Sequence, residues 1–415
     1  MTGADYRPFV PTPDQSRISG ATPAEHTANR TTSERARALL DGWSVLRREP
    51  FKGITRDGEV RPGLFSLRPE NAPISAMVDA ACALIARLSA GQRRRIQFPV
   101  DSGVWRDWHN TELYLEKHGL RLDEASSDVR AAVIAVLQSS LSARGLEKAR
   151  SVMRLNAFLG DLVGGPAVLG EWSYTFCLFG DPSPTAPWGW QIFGHHLSLN
   201  CFVVGGQMVL TPCFFGAEPA SADHGPFAGT RMFEDEERLG LELMRSLSPD
   251  MQERAIVSRS MNGDDHPPGR WHFADHLHLG GAYQDNRIVP YEGLPGDAMT
   301  RVQKRNLLDL VAAYIDPLPP GPLKAKLDDV ERHFAETHFC WIGGLGEATA
   351  FYYRIQGPTM FIEFDHHSGV FLTNPEPANF HVHTIVRTPN GNDYGIDVLR
   401  LHYAHAGHHN HPTAK

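Results

Sequence analysis

The chain has 415 residues, of which 41% are hydrophobic and 21% are charged, and its formal net charge is −8. This composition is typical of a globular protein, and the excess of 48 acidic over 40 basic residues offers no broad basic surface for nucleic acid. No apolar run reaches the roughly 20 residues that span a bilayer, and the segment MTGADYRPFV lacks the features of a signal peptide. We therefore expect a cytoplasmic protein that binds neither nucleic acid nor a membrane.

The cysteine and histidine content limits the kinds of metal site that the chain can form. The 5 cysteines lie far apart and form no CxxC pair, which argues against a disulfide framework and against a thiolate zinc site. We expect buried free thiols. Histidine is the unusual residue, because 21 are present and many of them fall in the last 50 or so residues of the sequence.

The N-terminal half has mainly helical patterns. Residues 1–30 are rich in Pro, Thr and Ser without periodicity, which predicts an extended arm. A helix then begins after Thr32 or Ser33, either of which can serve as its N-cap. Three further amphipathic helices are predicted over residues 75–89, 126–142 and 146–163.

After Gly165 the pattern changes to strands. Apolar and aromatic segments separated by Gly or Pro predict an antiparallel meander over residues 174–180, 189–206 and 207–216, with Gly205 and Gly206 as a hairpin turn. Helices are predicted over residues 233–247, 248–258, 298–315 and 321–338, with a long loop over 262–295 between the two pairs. The last strands are predicted over residues 339–344, 348–357, 359–367 and 380–388, before a short helix over 395–406.

These elements predict an α+β fold without an internal sequence repeat. A helical N-terminal half would pack on an antiparallel β meander, and a C-terminal β segment would complete the site. We expect a single elaborated domain over residues 31–407, preceded by the arm over 1–30 and followed by a polar tail over 408–415.

The segment FHVHTIVRT has the spacing of a metal site. His381 and His383 stand two apart in a predicted strand, so both imidazoles face the same side. The preceding strand, TMFIEFDHH, places Glu363 and Asp365 on one face by the same alternation and ends with His366 and His367. If the two strands pair, carboxylates and imidazoles meet across one sheet. A hydrogen-bonded structural role for the His-x-His pair is the alternative.

The loop GRWHFADHLHLGGAYQDN carries a second cluster, formed by His272, His276 and His278 with Asp275 beside them. Long loops inside compact domains are usually functional or disordered, and the aromatic residues of this loop argue against disorder. We interpret it as an active-site loop. The histidines His408, His409 and His411 lie in the polar tail and are excluded from the site.

The stretch GHHLSLN places His195 and His196 inside a predicted strand, where successive side chains point to opposite faces. His195 would then share a side with Leu197, Leu199 and Cys201, and His196 would share the other with Ile192, Ser198 and Asn200. A bulge at Gly194 would let both rings reach one ion. The sequence gives no reason to prefer either histidine as the metal ligand.

Four segments together resemble the family known as domain of unknown function 3500: PWGWQIFGHHLSLN, LTPCFFGAEPA, YYRIQGPTMFIEFD and FHVHTIVRTPNGNDYG. The resemblance extends from about residue 75 to about residue 405. Many members of this family have a signal sequence, and many carry EYDN where this chain has EFDHH. The resemblance implies no particular activity, so any proposed reaction has to be inferred from the side chains of this sequence.

The leading hypothesis is a mononuclear metalloenzyme that acts on a small organic substrate. Imidazole and carboxylate ligands suit one divalent transition metal such as Zn, Fe or Mn, and hydrolysis by metal-activated water is the default reaction. The alternatives are a non-haem iron oxygenase and a non-catalytic metal- or ligand-binding protein. The candidate ligands are His195, His196, His381, His383, Asp365 and His366. The candidate catalytic residues are His276, His278, Glu363 and Arg354, with Arg354 and Arg387 also able to bind a substrate carboxylate or to pair with acids.

Overall fold

A computed structural model describes residues 5–346 and 348–405 of the chain. Within these ranges the protein is α+β and contains 11 α-helices and a mixed sheet of 12 strands. The helices of the first half are α1 (Pro23–Arg30), α2 (Glu34–Arg48), α3 (Ile74–Arg87), α4 (Ala90–Ile96), α5 (Ser127–Ser140) and α6 (Ala143–Leu162). Those of the second half are α7 (Glu234–Ser246), α8 (Pro249–Ala255), α9 (Arg301–Ile315), α10 (Pro320–Arg332) and α11 (Ile396–His405).

Two four-stranded antiparallel meanders form the sheet. The first contains β3 (Tyr174–Phe179), β4 (Trp188–Gly194), β5 (Leu197–Val204) and β6 (Gln207–Ala217). The second contains β9 (His338–Gly343), β10 (Phe351–Gln356), β11 (Phe361–His367) and β12 (Ala378–Arg387). The antiparallel pair β6–β12 joins them into one sheet. Four short strands add to the outer strands β3 and β9: β1 (Gln97–Phe98), β2 (Leu120–Arg121), β7 (Ile256–Ser258) and β8 (Leu294–Pro295).

The two halves of the chain repeat the same order of elements. The first half runs α3, α4, β1, β2, α5, α6 and then its meander, and the second half runs α7, α8, β7, β8, α9, α10 and then its meander. The pairing is repeated as well: β1 and β7 are parallel to the outer strands β3 and β9, whereas β2 and β8 are antiparallel to them. The sheet order is therefore symmetric about the β6–β12 pair. This topological duplication was not detected in the sequence, which shows no repeat.

The sheet has two differently covered faces. One face packs against α3, α5, α6, α7 and α9 through a large apolar core that includes Phe215, Val382 and Phe364. The other face packs against α2, α11 and the loop between β7 and β8, through Phe214, Phe361 and Ile385. Because side chains alternate along each strand, the odd-numbered residues of β12 and β11 face the loop. His381, His383 and Asp365 are among them.

Several local predictions agree with the structure, and some do not. Ser33 caps α2, and Gly205 and Gly206 form the β5–β6 turn with positive φ angles. The predicted extended arm contains the helix α1, which Thr22 caps. The predicted helix over 248–258 ends at Ala255, since Ile256–Ser258 joins the sheet as β7. No helix in the described ranges is both long and apolar enough to cross a membrane.

The prediction for GHHLSLN was wrong in one respect. His195 and His196 do not lie inside a strand; they are the two residues of the hairpin turn between β4 and β5, with Gly194 paired to Leu197. The strand alternation stops at the turn, so Ile192 lies on the helix-covered face together with Leu197 and Leu199. The predicted tail over 408–415 lies outside the described residues.

Candidate metal centre

Four strand ends meet at one end of the sheet. The neighbouring strands β5, β6, β12 and β11 are antiparallel, so the start of β5, the end of β6, the start of β12 and the end of β11 lie side by side. His196 directly precedes β5, His381 and His383 lie on β12, and Asp365 and His367 end β11. In the ladder Asp365 is paired with His383. Residues far apart in sequence are thereby brought together on the loop-covered face.

Three imidazoles converge at this point. The Nε2 atom of His383 lies 3.1 Å from Nε2 of His196 and 3.2 Å from Nε2 of His381. Three nitrogens around a tetrahedral zinc ion, with bonds of about 2.0–2.1 Å, would lie about 3.3–3.4 Å apart. His196, His381 and His383 are 4%, 0% and 5% exposed. We call these residues the three-histidine group.

Polar contacts orient His381 within the group. Its Nδ1–H donates to the carbonyl oxygen of Ser368 at 2.8 Å, which leaves the lone pair of Nε2 free to bind a metal. The carboxylate of Glu218 lies 3.8 Å from the same Nδ1 and accepts hydrogen bonds from the backbone of Val370, Phe371 and Leu372. This arrangement of ligand and supporting carbonyl is common behind metal-binding histidines.

Backbone contacts fix the turn that presents His196. The amide of His196 donates to Asn110, the amide of Gly216 donates to the carbonyl of His196, and the hydroxyl of Tyr174 donates to the carbonyl of His195. His196 has φ of 63°, in the left-handed region that costs a non-glycine residue free energy. Such conformations persist where the surrounding structure holds them, often at functional sites.

Burial keeps the imidazoles neutral. It lowers the pKa of His381 to about 4, and it lowers the pKa values of His196 and His383 well below the ordinary value, with the neighbouring imidazoles adding to the effect. At neutral pH these rings therefore carry no proton that a metal would have to displace from a charged form. The neutral imidazole is the form that binds transition metals.

A second group of donors lies beside the first. Donor atoms of His276, Asp365 and His367 all lie within 4.8 Å of one another, as do those of the three-histidine group. The rings of His276 and His367 stack with centroids 3.9 Å apart, and the His367 ring lies 4.0 Å from that of His383. We call His276, Asp365 and His367 the carboxylate group.

Buried charges from the strands hold the loop in place over the site. The Glu363 carboxylate accepts from the amides of Leu279 and Gly280 at 2.9 and 2.8 Å, and from the hydroxyl of Tyr352 at 2.7 Å. The Arg387 guanidinium donates to the carbonyls of Gly280 and Gly281. Because Glu363 and Arg387 share a strand face with Asp365 and His383, they place the loop histidines directly over the candidate ligands.

His278 is the loop histidine that faces the three-histidine group. Its ring centroid lies 6.1 Å from that of His383, and it is 2% exposed. Its Nε2 atom is buried and has no hydrogen-bond partner among the described residues. His272, in contrast, has a side chain that is 42% exposed and lies 3.5 Å from Asp275.

Two of the candidate ligands do not join either group. The Nδ1–H of His195 donates to Asn156 at 2.8 Å, and its ring stacks on His196 without belonging to the converging set. His366 lies on the helix-covered face because of strand alternation. There its Nδ1 accepts from the amide of Phe351, and its Nε2–H donates to Glu237 at 2.8 Å.

The candidate catalytic residues Glu363 and Arg354 both have structural partners. Glu363 binds the loop as described above. Arg354 donates to Glu292 at 2.7 Å and to the carbonyl of Pro290, and it is 1% exposed. Arg387 pairs with Asp285 and Asp393, which is the acid pairing that the sequence left open. In this structure none of the three is directed at the metal groups as a free side chain.

A third set of possible donors in the described residues consists of Asp107, Glu116 and His118. Arg47 forms an ion pair with Asp107, and His118 lies 3.3 Å from Glu116. Asp107 is thus already paired with a permanently charged side chain, whereas no Lys or Arg pairs with the carboxylates at the sheet end in the described residues, so we regard this set as the weaker candidate.

Local sequence patterns did not select His367 as a candidate ligand, nor Glu218 and Ser368 as supporting residues. His367 could have been found, because the alternation that pairs Glu363 with Asp365 also places His367 on their face. Glu218 and Ser368 carry no local signal, since each reaches His381 only through the sheet pairing.

Comparison with known proteins gives a family and no function. No curated protein and no solved structure matches the chain. One family model matches residues 70–396, which is most of the 415 residues and includes every strand of both meanders. The chain therefore belongs to the family described as "Protein of unknown function (DUF3500)".

Proposed function

We propose that this protein is a metal-dependent enzyme that acts on a small organic substrate, with one divalent transition metal (Zn, Fe or Mn) bound by His196, His381 and His383. The observation that carries the proposal is the convergence of three buried Nε2 atoms, with separations of 3.1 and 3.2 Å from His383. Three protein ligands leave a fourth position for water or substrate, which is the pattern of catalytic zinc sites.

The reaction we propose is hydrolysis. A metal in this group supplies Lewis acidity and a water of lowered pKa. In the overall reaction the oxygen of water bonds to the electrophilic carbon or phosphorus of the substrate, and the leaving group departs with a proton. His278 is the residue we assign to moving that proton, because its buried Nε2 has no partner among the described side chains and its ring faces His383.

An iron oxygenase is the second candidate. Two histidines and one carboxylate form the ligand set of non-haem iron oxygenases, and His276, His367 and Asp365 provide that set. Oxygen consumption by the iron-loaded protein would favour this candidate over hydrolysis. A protein that binds metal without any turnover would favour a storage or binding role.

The proposal includes the cytoplasmic location expected from the sequence. All 5 cysteines are free thiols, 4 of them buried, and free thiols are usual in reducing compartments. We propose the compartment on this basis.

The test of the proposed function is reconstitution of activity. Metal-free protein is loaded with Zn²⁺, Mn²⁺ or Fe²⁺ and assayed against chromogenic esters, amides and phosphoesters, with oxygen uptake followed in parallel. We expect metal-dependent hydrolysis, and we expect His278→Gln to lower kcat by about 10²-fold or more while the metal content stays unchanged.

His272→Gln is the matched control, because His272 is a loop histidine that lies outside both metal groups. It should leave kcat within about twofold of the wild type. Equal losses in both variants would assign His278 a structural role. Hydrolysis that persists in metal-free protein would contradict the proposed mechanism.

A further inference from the structure

We propose that His276, Asp365 and His367 bind a second divalent metal ion next to the one bound by the three-histidine group, so that the site is dinuclear. This inference rests on the proposed function only in assuming that the three-histidine group binds the first metal ion. It concerns a separate set of side chains, and its test distinguishes the failure of one site from the failure of the other.

The carboxylate group contains buried polar atoms without hydrogen bonds. Asp365 Oδ1 and His367 Nε2 have no hydrogen-bond partner within the part of the chain that the structure describes, and the two residues are 0% and 1% exposed. His367 Nε2 lies 3.3 Å from Asp365 Oδ2, which is within ion-pair distance but lacks the geometry of a hydrogen bond. An unpaired buried polar group costs about 1–3 kcal/mol, more if it is charged, so two of them at one point call for a ligand that satisfies both.

The third donor comes from the loop and is available as well. The Nε2 atom of His276 has one weak contact, at 3.4 Å from the hydroxyl of Ser368. His276 has φ of 48°, and its ring lies between those of Trp271 and His367. A left-handed backbone and two ring contacts therefore hold this imidazole over the end of β11.

The two groups lie on neighbouring strands with their rings in contact, so ions bound by them would be neighbours. Asp365 is directly opposite His383 on neighbouring strands, and strands in a sheet lie about 4.8 Å apart. The His367 ring centroid lies 4.0 Å from His383 and 5.2 Å from His381. Ions in two-metal sites are about 3.5–4 Å apart.

Ser368 connects the two groups through its backbone and its side chain. Its carbonyl accepts from Nδ1–H of His381, and its hydroxyl contacts His276. The same residue thus orients one ligand in each group. A set of two imidazoles and one carboxylate is harder than a set of three imidazoles, so the second ion is of a class that accepts oxygen ligands, namely Mn²⁺, Fe²⁺, Co²⁺ or Zn²⁺.

The experiment is a Co²⁺ titration of metal-free, full-length protein, followed by visible absorption and checked by elemental analysis. All samples carry His408→Ala, His409→Ala and His411→Ala, so that the terminal histidines bind no cobalt. We expect 2 equivalents in this reference protein, and about 1 in Asp365→Asn and in His276→Gln. His366→Gln is the matched control, because His366 lies between two ligands in sequence but on the opposite face, and it should retain 2 equivalents.

Each other outcome overturns a defined part of the account. One equivalent in the reference protein, unchanged by Asp365→Asn and lost in His383→Gln, overturns the second site and leaves the first. One equivalent that is lost in both Asp365→Asn and His383→Gln shows a single shared ion and overturns the dinuclear site. No bound cobalt overturns both sites. If Asp365→Asn does not fold by circular dichroism, His276→Gln decides, because His276 is a partly exposed loop residue.

Discussion

Gly216 lies directly across the β6–β12 ladder from His383, and the absence of a side chain there makes room for two imidazoles. A Cβ atom on Gly216 would lie 2.9 Å from Cδ2 of His196, 3.0 Å from Cδ2 of His383 and 3.0 Å from the carbonyl of Val382. Contacts this short force the neighbouring atoms to move. The glycine therefore permits the close approach of the turn and β12 on which the three-histidine group depends.

Gly216→Ala is expected to weaken metal binding by separating His196 from His383. We predict at least a tenfold rise in the Kd for Co²⁺ at the three-histidine group, measured by competition with a chelator. Gly42→Ala is the control, because a Cβ there meets no atom within 4 Å and alanine favours the helix α2. If Gly216→Ala binds Co²⁺ as tightly as Gly42→Ala does, the close packing around Gly216 has no role in binding.

Acid should destabilise the protein through the buried His109. Burial lowers the pKa of this imidazole to about 4, and its ring stacks on Trp43 and belongs to neither metal group. Since the unfolded chain binds a proton near pH 6.5 and the folded chain does not, the stabilisation is present above that pH and is lost as the pH falls towards 4. Between pH 7 and pH 5 this group alone removes about 2 kcal/mol from the free energy of unfolding.

Urea unfolding of wild type and His109→Gln at pH 7 and pH 5 measures this contribution. The wild type should lose about 2 kcal/mol more than the variant over that interval. Parallel losses in the two proteins would show that His109 is protonated equally in the folded and unfolded states.

Asp285 belongs to the loop between β7 and β8 and joins it to Arg106 and Arg387 through a buried charged network. Its carboxylate accepts from Arg387 at 2.8 Å, Arg106 at 2.7 Å and the Tyr394 hydroxyl at 2.9 Å, and it is 1% exposed. Removing one partner of a buried ion pair leaves an uncompensated charge and typically costs 3–5 kcal/mol. We expect Asp285→Ala to lower the free energy of unfolding by about 3 kcal/mol or more.

An exposed ion pair provides the comparison for Asp285. Glu242 pairs with Arg238 one helical turn away at 2.9 Å, and both side chains are about half exposed. Glu242→Ala should cost no more than about 0.5 kcal/mol. A cost for Asp285→Ala as small as this would contradict the role that we assign to the network.

Glu363 should control the order of the loop rather than the chemistry. Glutamine is neutral, so Glu363→Gln removes the negative charge that strengthens the hydrogen bonds from the amides of Leu279 and Gly280. We expect amide hydrogen exchange at these two residues to become at least about tenfold faster, because a hydrogen bond to a charged group contributes about 1.5–3 kcal/mol. Exchange is followed by mass spectrometry.

The same variant separates the two metal groups. Glu363→Gln should weaken Co²⁺ binding at the carboxylate group, which needs His276 of the loop, and leave binding at the three-histidine group unchanged. Glu376→Gln, at an exposed position outside this loop, should change neither property. Unchanged exchange at Leu279 and Gly280 would show that Glu363 does not anchor the loop.

Most of the sequence-based predictions about the site residues rested on the alternation of side chains along strands. It places His381 and His383 on one face and Glu363 and Asp365 on one face, and the structure pairs these strands with Asp365 opposite His383. The same rule, applied one step further along β11, selects His367 and rejects His366. The sequence pattern was therefore sufficient to exclude His366 as a candidate ligand and to select His367 in its place.

The position of GHH could not be derived from local sequence rules. Two-residue hairpin turns are usually marked by Gly, Asn or Asp, and here two histidines occupy the turn, one of them with φ of 63°. Turn propensity alone disfavours this arrangement, so the local pattern predicts a continuous strand. Sites where sequence rules fail in this way are often functional.

The order of strands in the sheet was also beyond the sequence. No local sequence pattern shows that β6 lies next to β12, because more than 160 residues separate the two strands in the sequence. This pairing places Gly216 opposite His383 and brings Glu218 close to His381. The fold class depends on element types and was predictable, whereas the supporting residues of the site depend on long-range pairing.

The most direct test of the central claim is elemental analysis of full-length protein purified without an affinity tag and without added metal. His408, His409 and His411 are replaced by alanine in every sample, and His195→Gln serves as the matched control because His195 is a buried neighbour outside both groups. The account predicts at least one equivalent of transition metal in the reference protein and in His195→Gln, and about one equivalent less in a folded His383→Gln variant. A reference protein without transition metal, or a folded His383→Gln variant with the full metal content, would contradict it.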